Sequence, residues 1–331
     1  MDITMIRILL RITVFFVGIV SAILDIIYSH WPSLMFRIML WYKHQKMGVQ
    51  MKYVEHEGYR FCYFCRGKPG SRPSVLMLHG FPFNKDMWLN AIQLFPKDLH
   101  LICLDMPGHG ETTRLLTENY KAINQAKKIH QFVECTGLNQ KPFHLVGMSM
   151  GGMVAGIYAA QYPSEISGLS LLCPVGLRYP TDNEFIKYVK ELQKSTNSYS
   201  NPLLFTAKQG EDFLKFGLYY PSKRNMQVLK GYLEDKRPHK YFFLKCFLDM
   251  TSVESRYSFH DNLSKIRAPT QVIWGRDDKV MDPSGAEIVA KAIPVCQVHT
   301  LEKCGHFITL DRPRKLSKLL LEFYSSIFGT T

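Results

Sequence analysis

A glycine-framed serine, Gly147-Met148-Ser149-Met150-Gly151, constrains this chain more than any other stretch. Phe143-His144-Leu145-Val146 before it is a short apolar run that reads as a buried strand. Gly152 to Ala160 after it is rich in small residues and reads as a helix packed close against a sheet. Strand, G-x-S-x-G and helix in that order form the context of a nucleophile elbow. In such a turn the serine takes up strained backbone, and the positions two before and two after it have no room for a Cβ. The strain lifts the Ser149 hydroxyl clear of the main chain, and the helix N-terminus behind it favours developing negative charge. A glycine-rich turn that merely carries a serine is the competing reading, and the flanks and partners decide against it.

The partners lie downstream in a fitting order. Thr270 to Trp274 reads as a strand that runs into Gly275-Arg276-Asp277-Asp278-Lys279-Val280. A carboxylate at such a strand end belongs to a triad acid, and Asp278 is preferred to Asp277 by its position three after the glycine. Cys296 to Leu301 reads as the last strand, followed by Glu302-Lys303-Cys304-Gly305-His306. A histidine on that loop can swing over Ser149, so His306 is the candidate base. Ser, Asp, His is an established chain order for a catalytic triad. His79, Asp105 and His109 follow other strand ends and are read as loop scaffolding. His306 and Asp311 also match a spacing quoted for acyltransferases; the opposing reading is that Asp311 caps the helix that includes Pro313.

Around this constellation, apolar strands alternate with helices. Val49 to Cys65 reads as two antiparallel strands joined near Glu57-Gly58, and Val75 to Leu78, Leu99 to Leu104 and Ile166 to Leu172 as buried strands. Ala122 to Cys135, Ser284 to Ala292 and Pro313 to Phe328 read as helices. The expectation is an α/β fold with a mostly parallel central sheet flanked by helices. Between Gly176 and about Tyr257 that rhythm stops. Phe185, Val189 and Leu192 share a helical face, as do Phe213, Phe216 and Tyr220. This is expected to be a helical cap inserted at about residues 177–257 into a domain spanning 47–331.

Residues 1–46 are of a different kind. Ile12 to Leu24 is uncharged and almost wholly apolar, and with Ile26, Ile27 and Tyr28 it approaches the ~20 residues that cross a bilayer. Tyr28, Trp31, Trp41 and Tyr42 suit an interfacial belt. A transmembrane anchor is the preferred reading, against a signal peptide cleaved after Val20-Ser21-Ala22 and a core helix. Lys and Arg flank both ends and narrowly favour a cytosolic catalytic domain. Pro32 to Lys46 is either an interfacial amphipathic helix or one tucked against the domain.

Composition narrows the class further. The chain has 331 residues, 46% of them hydrophobic and 21% charged, which fits a globular protein and not a disordered or fibrous one. Its net charge of +13 comes from scattered Lys and Arg with no long basic block. That speaks against nucleic acid and for an anionic membrane surface. Several of the eight cysteines lie inside predicted strands as small buried hydrophobes; the cysteines look reduced, which suits a domain facing the cytosol, and Cys62-x-x-Cys65 has no second pair at zinc spacing.

From Val49 onward the sequence resembles the α/β-hydrolase superfamily. More narrowly it is similar to its membrane-anchored monoacylglycerol lipases in Leu78-His79-Gly80-Phe81, Asp86-Met87-Trp88, Asp105-Met106-Pro107-Gly108-His109 and His130 to Cys135. Phe143 to Gly147, Ser258-x-His260, Cys304-Gly305-His306 and Arg312 to Lys315 extend the likeness. Met148, Gly110-Glu111 and the segment around Thr196 to Lys236 depart from it. In such hydrolases the backbone N–H groups of the residue after the nucleophile and of the loop after the third strand bind the oxyanion. Here those belong to Met150 and Phe81. The resemblance implies hydrolysis of monoacylglycerols, including 2-arachidonoylglycerol, and of lysophospholipids. It also implies a late endosomal and lysosomal membrane location with a cytosolic active site. No metal or organic cofactor is expected. Acyl transfer to a lysolipid, carbon–carbon bond hydrolysis and non-enzymatic regulation of a membrane partner are the rival functions.

Overall fold

The computed structural model describes residues 3–195 and 207–329. It begins with two helices, α1 (Ile3–His30) and α2 (Pro32–Met47), and an antiparallel hairpin of β1 (Gln50–His56) and β2 (Tyr59–Arg66). The hairpin turns at Glu57 and Gly58, both at positive φ. Then follow β3 (Val75–Leu78), β4 (Leu101–Leu104), α3 (Ala122–Thr136), β5 (Phe143–Met148), α4 (Met150–Gln161) and β6 (Ile166–Leu172). Four helices come next: α5 (Glu184–Ser195), α6 (Ala207–Gly217), α7 (Lys223–Lys236) and α8 (Lys240–Thr251). The chain closes with β7 (Thr270–Gly275), α9 (Gly285–Ala292), β8 (Cys296–Leu301), α10 (Ile308–Asp311) and α11 (Pro313–Phe328).

The strands form one eight-stranded sheet in the order β1-β2-β4-β3-β5-β6-β7-β8. All pairs from β4 onward are parallel, and β2 pairs antiparallel with β4. Every residue of β3, β4, β5 and β7 is buried, the pattern of strands covered by helices on both faces. The fourth strand starts at Leu101, two residues later than the apolar run suggested, because Leu99 instead closes a turn onto the Pro96 carbonyl. Parallel strands place all their carboxyl ends on one rim, and the loops after β3, β4, β5, β7 and β8 gather there.

A buried ion pair braces this rim. Lys85 opens a 3₁₀ segment, Lys85–Leu94, and its Nζ lies 2.8 Å from Asp105 Oδ2 with both side chains inaccessible. The Lys85 and Glu111 backbone N–H groups also donate to that carboxylate, at 2.8 and 2.9 Å. Burial acts against the Lys85 ammonium, but the Asp105 carboxylate more than offsets it and holds the pKa above its ordinary value.

The two N-terminal helices differ. Thr4–Leu24 of α1 is apolar and long enough to cross a membrane, and none of it is buried against the chain. Phe15, for example, is 67% exposed, so the core-helix reading fails. In contrast, α2 is tucked against the protein. Arg37 pairs with Asp235 of α7 at 2.6 Å, His44 meets Asp86 at 2.7 Å, and Phe36 lies edge-on to Tyr232. At Gly231 a Cβ would come within 2.3 Å of the Pro32 carbonyl oxygen, so α7 and the start of α2 touch backbone to backbone.

The inserted helices α5 to α8 supply the aromatic bulk seen in the sequence. Phe185, Phe213 and Phe243 are buried, whereas Tyr220 lies beyond the end of α6 and is 73% exposed, so it does not share the Phe213 face. Of the divergent segment Thr196 to Lys236, residues 196–206 lie outside those described, as do the side chains of Val189 and Leu192.

Substitution Lys85→Met should leave the Asp105 charge buried without its cation and cost about 3 kcal/mol or more. Chemical denaturation of the domain checks this; an unchanged midpoint would mean that the backbone amides alone satisfy Asp105.

Candidate active site

Two glycines set the geometry of the elbow. A Cβ on Gly151 would lie 2.3 Å from the Leu78 carbonyl oxygen, and one on Gly147 would lie 2.3 Å from the Gly151 carbonyl oxygen. The first turn of α4 therefore rests directly on the ends of β3 and β5. Ser149 between them has φ 54 and ψ −115, a conformation costly for any residue with a side chain. It is held there from both sides: its N–H donates to the Leu172 carbonyl at 2.9 Å, and its own carbonyl accepts from Met153 and Val175 at 3.0 and 3.2 Å.

Three side chains predicted from the sequence meet at this point. His306 Nε2 is 2.9 Å from Ser149 Oγ, and His306 Nδ1 is 2.8 Å from Asp278 Oδ2. The second carboxylate oxygen of Asp278 accepts the Val280 and Met281 amides, both at 2.9 Å. An ionised carboxylate can only accept, so the proton of a neutral His306 sits on Nδ1 and Nε2 is free to accept the Ser149 hydroxyl. All three residues are buried. Asp277 is occupied elsewhere: its Oδ2 accepts the Cys304 N–H at 3.2 Å and its N–H donates to the Cys304 carbonyl at 2.9 Å. The two neighbouring carboxylates thus divide the work, with Asp278 on the imidazole and Asp277 on the loop that carries it.

Phe81 and Met150, the candidate oxyanion donors, flank the serine. A Cβ on Gly80, just before Phe81, would lie 3.2 Å from the Ser149 Cβ, and Met150 is the first residue of α4. His79 knits this loop to its neighbour by accepting the Met106 N–H at Nε2 and donating from Nδ1 to the Gly80 carbonyl, both at 3.0 Å. Burial pushes the His79 pKa down to about 3, and that of His109 likewise. Both stay neutral at working pH, as scaffolding requires. The Phe81–Pro82 peptide is cis, and the Pro82 carbonyl accepts the Tyr232 hydroxyl of α7 at 2.7 Å.

Two contacts had no sequence signal. The Tyr232 bond is one. The other corrects the role given to Asp311, which does not cap α11: the residue before that helix is Arg312, without a side-chain cap. Asp311 Oδ2 instead accepts the backbone N–H groups of Gly305 and Tyr219, at 2.8 and 2.9 Å.

For metal binding, the described residues bring Cys173, Asp278 and His306 together, with ligand-type atoms within 4.8 Å of one another. They fit a metal poorly. Asp278 and His306 are already hydrogen-bonded to each other, and burial pushes the Cys173 thiol well above its ordinary pKa. A protonated thiol is not a metal ligand.

Fold and site together define a hydrolase of the serine type. Residues 73–313 match the model of the alpha/beta hydrolase fold, and the chain belongs to that family. It is 50% identical to the monoacylglycerol lipase ABHD6 of Homo sapiens over 91% of this chain and 89% of that protein. The monoacylglycerol lipase abhd6-B of Xenopus laevis is also 50% identical, with the same shares covered. Among solved structures, a bacterial membrane phospholipase A superposes with a TM-score of 0.80 at 22% identity, covering 97% of this chain and 100% of that one. That likeness concerns the fold.

Ser149→Ala should abolish ester turnover and labelling by a fluorophosphonate probe. Asp278→Asn should lower kcat by about ten-thousandfold, as in a serine protease triad. Rates from purified variants check both, and full activity in Asp278→Asn with loss in Asp277→Asn would move the acid by one residue.

Proposed function

We propose that this protein is a membrane-anchored serine esterase that hydrolyses monoacylglycerols to free fatty acid and glycerol. The observation that carries the reading is the buried relay from Ser149 through His306 to Asp278, with contacts of 2.9 and 2.8 Å. Half-identity along nearly the full length of proteins named monoacylglycerol lipases supports the substrate class.

In this reading each residue has one part. Ser149 attacks the ester carbonyl as His306 Nε2 takes its proton. Asp278 keeps the proton of neutral imidazole on Nδ1 and stabilises the imidazolium that forms. The Phe81 and Met150 N–H groups stabilise the oxyanion, aided by the N-terminus of α4. Collapse of the intermediate breaks the ester bond, and His306 gives its proton to the departing glycerol oxygen. Water, activated by the same imidazole, then attacks the acyl-enzyme and releases the fatty acid.

Residues 1–46 form the anchor and its tethered helix, and residues 47–331 the hydrolase domain with a cap at about 177–257. The fully exposed apolar face of α1 supports the membrane reading. A cavity of about 70 Å³ opens between α2 and α7, with Phe36, Met39, Leu229, Phe83 and Phe307, the neighbour of His306, in its wall. We place the catalytic domain in the cytosol, on late endosomal and lysosomal membranes. Lysophospholipids and 2-arachidonoylglycerol join the substrate list on the family resemblance, with membrane lipid as the partner.

A panel of esters tests the substrate. Long-chain monoacylglycerols should exceed p-nitrophenyl acetate and triacylglycerols in kcat/KM, because each buried acyl CH₂ contributes up to about 0.8 kcal/mol. Faster turnover of the acetate than of any monoacylglycerol would overturn the lipase reading. Full-length protein should also remain with membranes through carbonate washing, whereas a chain starting near Met47 should be released by salt.

A further inference from the structure

We propose that Asp311 is a positioning residue for His306, latching the base-bearing loop to the cap through two backbone amides. A single oxygen, Oδ2, accepts the N–H of Gly305, the residue before His306, at 2.8 Å. The same oxygen accepts the N–H of Tyr219, two residues past the end of α6, at 2.9 Å. On the other side of His306, the Phe307 N–H donates to the Gly217 carbonyl at 2.8 Å. The base is therefore held between two residues whose amides are both fixed, one by Asp311 and one by the end of α6.

Packing leaves this arrangement little slack. A Cβ on Gly305 would come within 2.7 Å of the Gly217 oxygen, and one on Gly217 within 2.2 Å of the Phe307 ring. The two segments touch through their main chains, so a shift of the α6 end moves His306. The His306 ring itself bonds only to Asp278 and Ser149, so the loop backbone is fixed by other groups. Asp277 holds Cys304 and the Gly217 carbonyl holds Phe307, while Asp311 fixes Gly305, the residue directly before His306. Burial pushes the Asp311 carboxyl pKa up, while the two amides pull it back.

The role is geometric, which separates it from the proton-transfer role that the His306 and Asp311 spacing suggested. Asparagine keeps an acceptor oxygen at the same place without the charge. Glutamate keeps the charge but moves the oxygens by one methylene. A positioning role tolerates the first and not the second; a catalytic carboxylate does the reverse.

Full-length Asp311→Asn, Asp311→Glu and Asp311→Ala proteins in detergent micelles decide this, with p-nitrophenyl acetate and a monoacylglycerol as substrates. Each kcat is normalised to Ser149 titrated with a fluorophosphonate, so loss of folded protein does not enter the number. Asp311→Glu and Asp311→Ala should lose about tenfold to a hundredfold in kcat on both esters, with acetate KM little changed. Asp311→Asn should stay within about threefold of wild type. If Asp311→Ala does not fold, the Asn and Glu pair still decides, since both fill the site. Wild-type kcat in Asp311→Glu, or an equal fall in Asp311→Asn, overturns the proposal. It rests on the esterase reading, whose own failure is distinguishable, because wild type would then turn over neither ester.

Discussion

The close approach of α4 to the ends of β3 and β5 is the constraint on which the rest of the site depends. In its first turn Gly151 abuts the Leu78 carbonyl of β3 and presents its own carbonyl to Gly147 of β5, at distances that only glycine at 147 and 151 allows. That contact forces Ser149 to positive φ, at a cost of about 1–3 kcal/mol. The surrounding sheet sustains it. The Ser149 N–H is paired to the end of β6, its carbonyl accepts two amides, and the neighbouring methionines are buried. A parallel sheet is suited to this load, since its strands end together and their loops brace one another.

Beneath the rim the buried carboxylates follow one rule: each accepts N–H donors fixed in the main chain. Asp105 takes the Lys85 ammonium and two amides, and Asp278 takes two amides and the imidazole. Such preorganisation lets the site meet a developing charge with little rearrangement. The same economy extends outward. Tyr232 of α7 reaches the Pro82 carbonyl beside one candidate oxyanion donor, while Asp311 and the end of α6 hold the loop of the base. Because α2 packs on α7, the helix that follows the candidate membrane span is joined by contact to the loops of Phe81 and His306.

Much of this was legible in the sequence, for identifiable reasons. Central strands such as Val75–Leu78 and Ile166–Leu172 were found at their observed bounds because a buried parallel strand is a local signal: an apolar run between turn residues. The meeting of Ser149, Asp278 and His306 was legible because each sits just after a strand, and the rim of an α/β sheet collects those ends. The place of α2 was not, since Arg37, Lys43 and His44 suit a membrane surface as well as they suit the partners Asp235, Asn90 and Asp86. The contacts of Asp311 and Tyr232 were illegible for a different reason. Their partners are main-chain N–H groups and a carbonyl, near in the chain for Gly305 and far for Tyr219 and Pro82, and a main-chain group has no letter in the sequence. Asp311 therefore read as a cap by default.

The central claim is that ester cleavage proceeds through an acyl-enzyme on Ser149, and the most direct test is to see that bond. Full-length protein mixed with a long-chain monoacylglycerol and quenched in acid within one turnover can be digested and mapped by mass spectrometry. The expected result is a peptide spanning Gly147 to Gly151 heavier by one fatty acyl group minus a hydrogen, on Ser149. Turnover with no such adduct, or with the acyl group on Cys173 or another side chain, would contradict it.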